Sequence, residues 1–272
     1  MKMNSELRDR SYHFLNFLPS VAQYLESKHK ESDLKVDEKS LYNLVTEADL
    51  NSESKILSEI QKNYPNDGIL SEEREEIKGN SGYTWVIDPL DGTTNYTHGL
   101  PLYGISVGIV DSDSMVPLGG MVFFPELNTY YHAIKGEGSF REKTKLQVSK
   151  TTQLKDSLFV TGFPYDRSMS LDTLMVYYKN ILSKSRGIRR TGAATLDLCW
   201  LAEGKFDAYY ELGLKPWDMA AGSLIVLEAG GQLSTMDGND FSIHVPSLLA
   251  SNGLVHEFLL NEFEGQINRV VY

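Results

Sequence analysis

A single cysteine in a chain of 272 residues leaves nothing to bridge, so disulfides take no part in this fold. Cys199 sits in the apolar run 196–202, where a thiol reads as a small buried hydrophobe. Long hydrophobic runs are missing too: nothing approaches the ~20 consecutive apolar residues that a bilayer-crossing helix needs. The first charges are not followed by the apolar core of a secretory signal, and the expectation is a cytoplasmic protein. Cations are in deficit, with 26 Lys and Arg against 37 Asp and Glu and a formal net charge of −11. Polyanions share that sign, so neither a nucleic-acid partner nor an acidic membrane surface is expected, and an anionic substrate would need cations gathered locally. Histidine and cysteine do not cluster at ligand spacing, which argues against zinc. No internal repeat, low-complexity tract or heptad seam is present.

What is present has the balance of an ordinary globular protein of one or two domains, 41% hydrophobic and 23% charged. Residues 5–30 place Phe14, Leu18, Val21, Ala22 and Leu25 at helical spacing, with Pro19 as a point of kinking or division. Residues 31–40 are polar and read as a mobile loop able to cover a site. Within it Lys39 has two readings, a solvated charge or a cation that gathers anions or metals. Asp49 reads as the N-cap of a second amphipathic helix whose shared face carries Leu50, Ile56, Leu57 and Ile60. After the turn 64–68, a short strand at Ile69 and Leu70 delivers Glu72, while Glu75 and Glu76 read as a solvated acidic edge.

Residues 105–110, 116–124 and 129–133 have the composition of strands in an antiparallel meander, with one further strand near 146–148. Polar residues to about 156 suggest a boundary. Beyond it the pattern alternates: strand 158–161, helix 171–183, a strand at Ile188, helix 195–202 and strand 206–210. Helix 219–229, strand 232–235 and a last helix 255–267 complete it. Such alternation predicts an open α/β sheet. The expectation is an N-terminal α+β domain over residues 1–150 and a C-terminal α/β domain over residues 151–272.

The stretch 85–101 carries the chemistry. Trp85-Val86-Ile87 is suited to a buried strand, Asp88 stands where it leaves the core, and Pro89 is expected to end its ladder. Asp88 and Asp91 then share a stiff turn. Gly92 can adopt positive φ, and Thr93 and Thr94 suit the start of a helix whose free N–H groups face the same space. Cation ligands and anion donors converge there. If strand ends are neighbours, Glu72 joins Asp88 and Asp91. Far downstream, Trp217-Asp218-Met219-Ala220-Ala221-Gly222 opens a helix that Gly230-Gly231 ends. Asp218 is either its N-cap or a fourth carboxylate of the acidic turn, and the small residues after it permit close backbone approach.

Asp88-Pro89-Leu90-Asp91-Gly92-Thr93-Thr94-Asn95 resembles the first signature of the inositol monophosphatase family, and residues 217–222 resemble its second. Thr46-Glu47-Ala48-Asp49 and Ser71-Glu72-Glu73 lie upstream in the family order, so the resemblance spans nearly the whole chain. One departure is visible: the span from Lys39 to Thr46 is a residue shorter than the family spacing, and Asn43 stands where Asp is common. The resemblance implies the layered α-β-α-β-α sandwich of the sugar-phosphatase fold, combining α/β and α+β parts, with the site between its halves.

It further implies Mg²⁺-dependent hydrolysis of a phosphate monoester with two to three ions per site. Glu72, Asp88 and the Leu90 carbonyl would hold one ion, Asp88, Asp91 and Asp218 a second, and Glu72 a weaker third. Thr93 would orient the attacking water, Asp49 would hold the Thr93 hydroxyl, and the amides of Gly92 and Thr93 would bind phosphate. Glu211, Asp91 and the segment Gly192, Ala193 and Ala194 resemble the family's polyol pocket, pointing to myo-inositol monophosphate. Fructose 1,6-bisphosphate, histidinol phosphate and 3′-phosphoadenosine 5′-phosphate are alternatives on the same metal core. A scaffold or regulatory binding protein is the alternative of another class. Lithium sensitivity and a homodimer are further implications of the resemblance.

Overall fold

The computed structural model describes residues 2–29, 36–40, 43–164 and 171–263. Helix α1 (Lys2–His29) is followed by the hairpin β1 (Val36–Ser40) and β2 (Asn43–Thr46) and by α2 (Glu47–Asn63). Next come β3 (Gly68–Ser71), β4 (Tyr83–Asp91), the short α3 (Thr93–Thr97), β5 (Gly104–Asp111), β6 (Pro117–Phe124), β7 (Thr129–Ile134), β8 (Gly138–Arg141) and β9 (Thr144–Lys145). Strands β3 to β9 form one seven-stranded sheet in chain order, with β3 parallel to β4 and every later pair antiparallel. The rest is β10 (Leu158–Thr161), α4 (Leu171–Leu182), β11 (Gly187–Arg189), α5 (Ala194–Ala202), β12 (Ala208–Leu212), α6 (Pro216–Glu228), β13 (Gln232–Ser234), β14 (Ser247–Ser251) and α7 (His256–Phe263). Its five-stranded mixed sheet has the order β11-β10-β12-β14-β13.

Burial divides these elements into five layers. Apolar residues of α1 (Phe14, Leu18, Val21, Leu25) and α2 (Ile56, Ile60) pack on one face of the large sheet, against Trp85, Ile87, Val107 and Ile109. Its other face, with Val86, Val110 and Val122, meets α5 and α6, which also cover Val160, Tyr209 and Ala250 of the small sheet. The outer face of the small sheet, with Phe159, Tyr210 and Leu249, is closed by α4 and α7. The order is helices, sheet, helices, sheet, helices, the α-β-α-β-α sandwich that combines α+β and α/β parts. The central strands β4, β5 and β14 are buried nearly end to end because successive side chains face opposite layers and both layers are covered.

Close approach of α6 to the large sheet depends on small residues on both sides. A methyl group on Gly108 would stand 2.8 Å from the Ala220 Cβ, and one on Gly120 would stand 2.6 Å from the Ala221 carbonyl oxygen. Gly222, on the other side of α6, leaves no room for a methyl beside Leu198 of α5 (2.6 Å). Ala220 and Ala221 therefore serve the close approach of α6 to the sheet, and Gly222 makes room for the Leu198 side chain of α5.

Several sequence expectations change in the folded chain. Pro19 does not divide the first helix: α1 runs unbroken through it, since residues on both sides of the proline anchor in the same core. Residues 36–40 pair as a strand instead of forming a loop; residues 30–35 and the Lys39 side chain lie outside the described residues. Leu50 is 44% exposed, while Ser52 and Glu53 are buried in its stead. Glu53 is retained inside because it accepts hydrogen bonds from the Ser71 hydroxyl (2.5 Å) and Arg74 (3.0 Å). The strand expected near 146–148 falls at 144–145, β8 lies just before it, and β14 was not anticipated. Of the last helix, residues 256–263 are described and the expected remainder lies outside.

Replacing Gly120 with alanine forces its new methyl into the α6 backbone. The expected result is a loss of roughly 1–3 kcal/mol of unfolding free energy, measured by urea denaturation.

Candidate active site

Parallel pairing of β3 with β4 sets Ser71 beside Ile87, and the Glu72 amide donates to the Ile87 carbonyl (3.2 Å). That register places Glu72 next to Asp88. Pro89 does not end the ladder. Strand β4 continues to Asp91, with a bulge between Asp88 and Asp91 that takes up the missing amide hydrogen. The bulge lets both acids leave the strand toward one space. Asp88 Oδ1 accepts from the Leu90 amide (3.0 Å). Gly92 then turns the chain at φ 88° as the N-cap of α3, a left-handed conformation that a side chain would strain.

Thr93 and Asp49 meet as a pair. The Thr93 hydroxyl lies 3.1 Å from Asp49 Oδ1 and 3.1 Å from the Leu90 carbonyl, as a donor to either. Asp49 is not the N-cap of α2: that is Thr46, whose hydroxyl accepts from the Ala48 amide while its own N–H donates to Asp49 Oδ2 (2.9 Å). Asp49 thus occupies the third helical position of a capping box, with one oxygen in the cap and the other on Thr93. Burial raises its pKa, and the hydrogen bonds from Thr46 and Thr93 oppose that rise.

Helix α6 brings the fourth acid. Pro216 occupies its first turn, and Asp218 is again an N3 residue, not the cap, accepting from the Lys215 amide (2.6 Å). Burial first, then the charges of Glu72, Asp91 and Asp218, push the Asp88 carboxyl well above the usual range. Asp218 is raised by its enclosure and by Asp91, Glu72 and Glu211. Among the described residues no three acidic, imidazole or thiol groups are drawn tightly enough together to grip an ion as they stand. The four carboxylates instead lie near enough to act on one another, and like charges so placed repel and resist burial. An all-oxygen donor set with surplus negative charge fits a hard divalent cation.

Beside these acids lies a cavity lined by Asp91, Gly92, Gly162, Arg190, Asp197 and Glu211, with the segment 192–194 and Asp218 at its wall. Gly192 turns at φ 89°, and Ala193 begins α5 without a side-chain cap. Glu211 accepts from the Tyr209 hydroxyl (2.5 Å). Enclosure pushes the Glu211 carboxyl up to about 7, against the opposing effects of Tyr209 and Arg190.

Sequence reasoning missed four neighbours. Thr195 donates its amide (2.8 Å) and its hydroxyl to Asp91 Oδ2, binding α5 to β4. Asp197 is buried and accepts from the Thr191 hydroxyl (2.5 Å), and Arg190 lies close enough to act on Asp91, Asp197 and Glu211. Asn95, which ends the first motif without an expected role, donates to the carbonyls of Leu102 (2.7 Å) and Thr191 (2.9 Å) and so ties α3 to the same loop. Their only signal was nearness to residues 88–94 and 192–194. His98 is the residue that follows α3, with its amide on the last carbonyls of the helix, a structural position.

A model of the inositol monophosphatase family matches residues 16–268. The chain belongs to this family. The chloroplastic phosphatase IMPL1 of Arabidopsis thaliana is 43% identical over 228 residues, 82% of this chain and 61% of that protein. A Neisseria meningitidis protein named putative Nus factor SuhB is 40% identical over 80% of this chain and 84% of its own length. Among solved structures, the inositol monophosphatase of Anabaena (Nostoc) superposes with a TM-score of 0.80 at 33% identity, covering 93% of this chain and 92% of that one. As an inositol monophosphatase family member the chain is a phosphoric monoester hydrolase. None of its described helices is long and apolar enough to cross a membrane.

Glu211 offers a test of the enclosed pocket without metal. Its folded pKa, about 7, lies above the ordinary 4.5, so the folded state holds a proton that the unfolded state has lost. Stability from this group is present below pH 4.5 and lost as pH rises to about 7. Glu211→Gln, compared with wild type in chelator by urea denaturation, is expected to gain relative stability across that window and level off above it.

Proposed function

We propose that this inositol monophosphatase family member hydrolyses myo-inositol monophosphate to inositol and phosphate with Mg²⁺. The observation that carries the reading is the approach of Glu72, Asp88, Asp91 and Asp218, from the end of β3, from β4 and from α6, close enough for their charges to act on Asp88, with Thr93, two residues after Asp91, paired to Asp49. Two to three ions fit the ligand sets, with Glu72, Asp88 and the Leu90 carbonyl at one and Asp88, Asp91 and Asp218 at another. Bound Mg²⁺ supplies a low-pKa water near neutral pH and neutralises charge on phosphate oxygens.

This chain's own groups do the rest. Thr93, with its proton directed at Asp49 or Leu90, keeps lone pairs free to accept from a water and hold it in line with phosphorus. Asp49, fixed by Thr46, keeps that hydroxyl from rotating away. The amides of Gly92 and Thr93, at a left-handed turn, are placed to take phosphate oxygens. Glu211 and Asp91 would accept from sugar hydroxyls, while the backbone at Gly192, Ala193 and Ala194 lines the polyol side. The pocket's mix of carboxylates and Arg190 favours a hydroxyl-rich leaving group over an apolar one.

Fructose 1,6-bisphosphate, histidinol phosphate and 3′-phosphoadenosine 5′-phosphate share the metal requirement and differ in the leaving group. The name of the Neisseria relative supports a second reading, a regulatory binding role beside catalysis. The proposal also includes a cytoplasmic homodimer that is inhibited by lithium, with the chain divided near residue 150.

Phosphate release from inositol 1-phosphate and the three other esters is the direct measurement. Expected are Mg²⁺-dependent turnover highest on inositol 1-phosphate, inhibition by lithium, and a fall of about 10²-fold or more in kcat for Asp91→Asn and Thr93→Val. Turnover indifferent to chelator, or unchanged in Asp91→Asn, would sink the reading.

A further inference from the structure

Asp91 serves two masters. It belongs to the acidic space on the β4 side, yet its Oδ2 is taken by α5, a helix that follows a strand of the other sheet. Helix α5 has no side-chain cap of its own at Ala193. Its free first-turn donors are met from outside by the Asp91 carboxylate, which the Ala194 amide also approaches. Most of this clamp is backbone and is present whatever residue stands at 195. The Thr195 hydroxyl is the exception. It is a second donor from one residue to one oxygen, fully buried and without a competing partner among the described residues.

We propose that Thr195 is a positioning residue: its hydroxyl fixes the rotation of the Asp91 carboxylate, committing Oδ2 to α5 and presenting Oδ1 to the divalent cation. This rests on the metal-dependent reading above. The backbone amides of Ala194 and Thr195 reach the carboxylate from one helix end, and the Thr195 hydroxyl, converging on Oδ2 with the amide of its own residue, adds the contact that restricts rotation of the carboxylate plane. Rotation matters because a hard cation is held by oxygens at defined positions, and an oriented ligand loses less freedom on binding. The clamp has a second consequence. Because Asp91 of β4 and Ala194 and Asp197 of α5 all line the cavity, the same hydroxyl holds the cation side and the polyol side in fixed relation.

The experiment is titration of MgCl₂ into the purified full chain by calorimetry, with thermal unfolding in chelator as a check on folding. Wild type, Thr195→Val, Thr195→Ala and Thr195→Ser are compared. The expected result is a rise of roughly tenfold in the Mg²⁺ dissociation constant for Val, recovery in Ser, and a matching rise in the Mg²⁺ concentration for half-maximal turnover. The Ala variant carries the comparison if the Val variant fails to fold. A Val or Ala variant that binds Mg²⁺ as wild type does, or a Ser variant as weak as Val, overturns the positioning role alone. Wild type that binds no Mg²⁺ overturns the metal-dependent reading and this inference with it.

Discussion

Helix α6 lies in backbone contact with β5 and β6, and this approach decides where Asp218 can stand. Gly108 and Gly120 on the sheet face Ala220 and Ala221 on the helix with no space for another methyl. Any larger residue would lift the helix and carry Asp218, two residues before Ala220, away from Asp88. The tight seam therefore stabilises the middle layer and sets the geometry of the acidic space at once. It also explains why the two sheets share one core: α5 and α6 are covered on one side by Val86 and Val122, on the other by Tyr209 and Ala250.

The site itself is a conflict held in place. Asp88 and Asp91 are nearly inaccessible, and Asp88 feels three other carboxylates. Burial and repulsion both favour the neutral forms, so a folded chain without cations pays for the arrangement in its ionisation equilibria. Hydrogen bonds moderate that conflict at specific oxygens: Leu90 on Asp88, Thr195 on Asp91, Lys215 on Asp218. Each comes from a strand bulge or a helix terminus, where amides lack ladder or helix partners. Local backbone geometry thus supports the very acids that global electrostatics opposes.

Much of this was legible in the sequence, for a physical reason. Turn chemistry and helix starts are local, so Gly92 and the run 217–222 announced a left-handed turn and a helix opening near Asp218, whereas Pro89, expected to end the ladder, sits in a bulge that lets β4 run on to Asp91. The limits are instructive in the same terms. Two acids read as N-caps are N3 residues, because Thr46 and the Lys215 backbone take the capping position, and a motif of three or four residues does not separate those roles without φ and ψ. Strand β14 escaped notice because Leu248-Leu249-Ala250 is too short to show periodicity and is a strand only by pairing with β12 and β13.

The sequence by itself determined the kinds of group available and their order: four oxygen-donor acids, a threonine after a glycine, small residues behind Asp218, and no thiol or imidazole cluster to rival them. Those facts follow from covalent neighbours. Only the tertiary structure decided which groups meet. Glu72 reaches Asp88 through the parallel register of β3 on β4, Asp218 arrives through the glycine seam, and Thr195 takes hold of Asp91 across 104 positions of chain. No periodicity records such contacts, because they depend on how two sheets and a helix layer stack, and stacking is a property of the whole core.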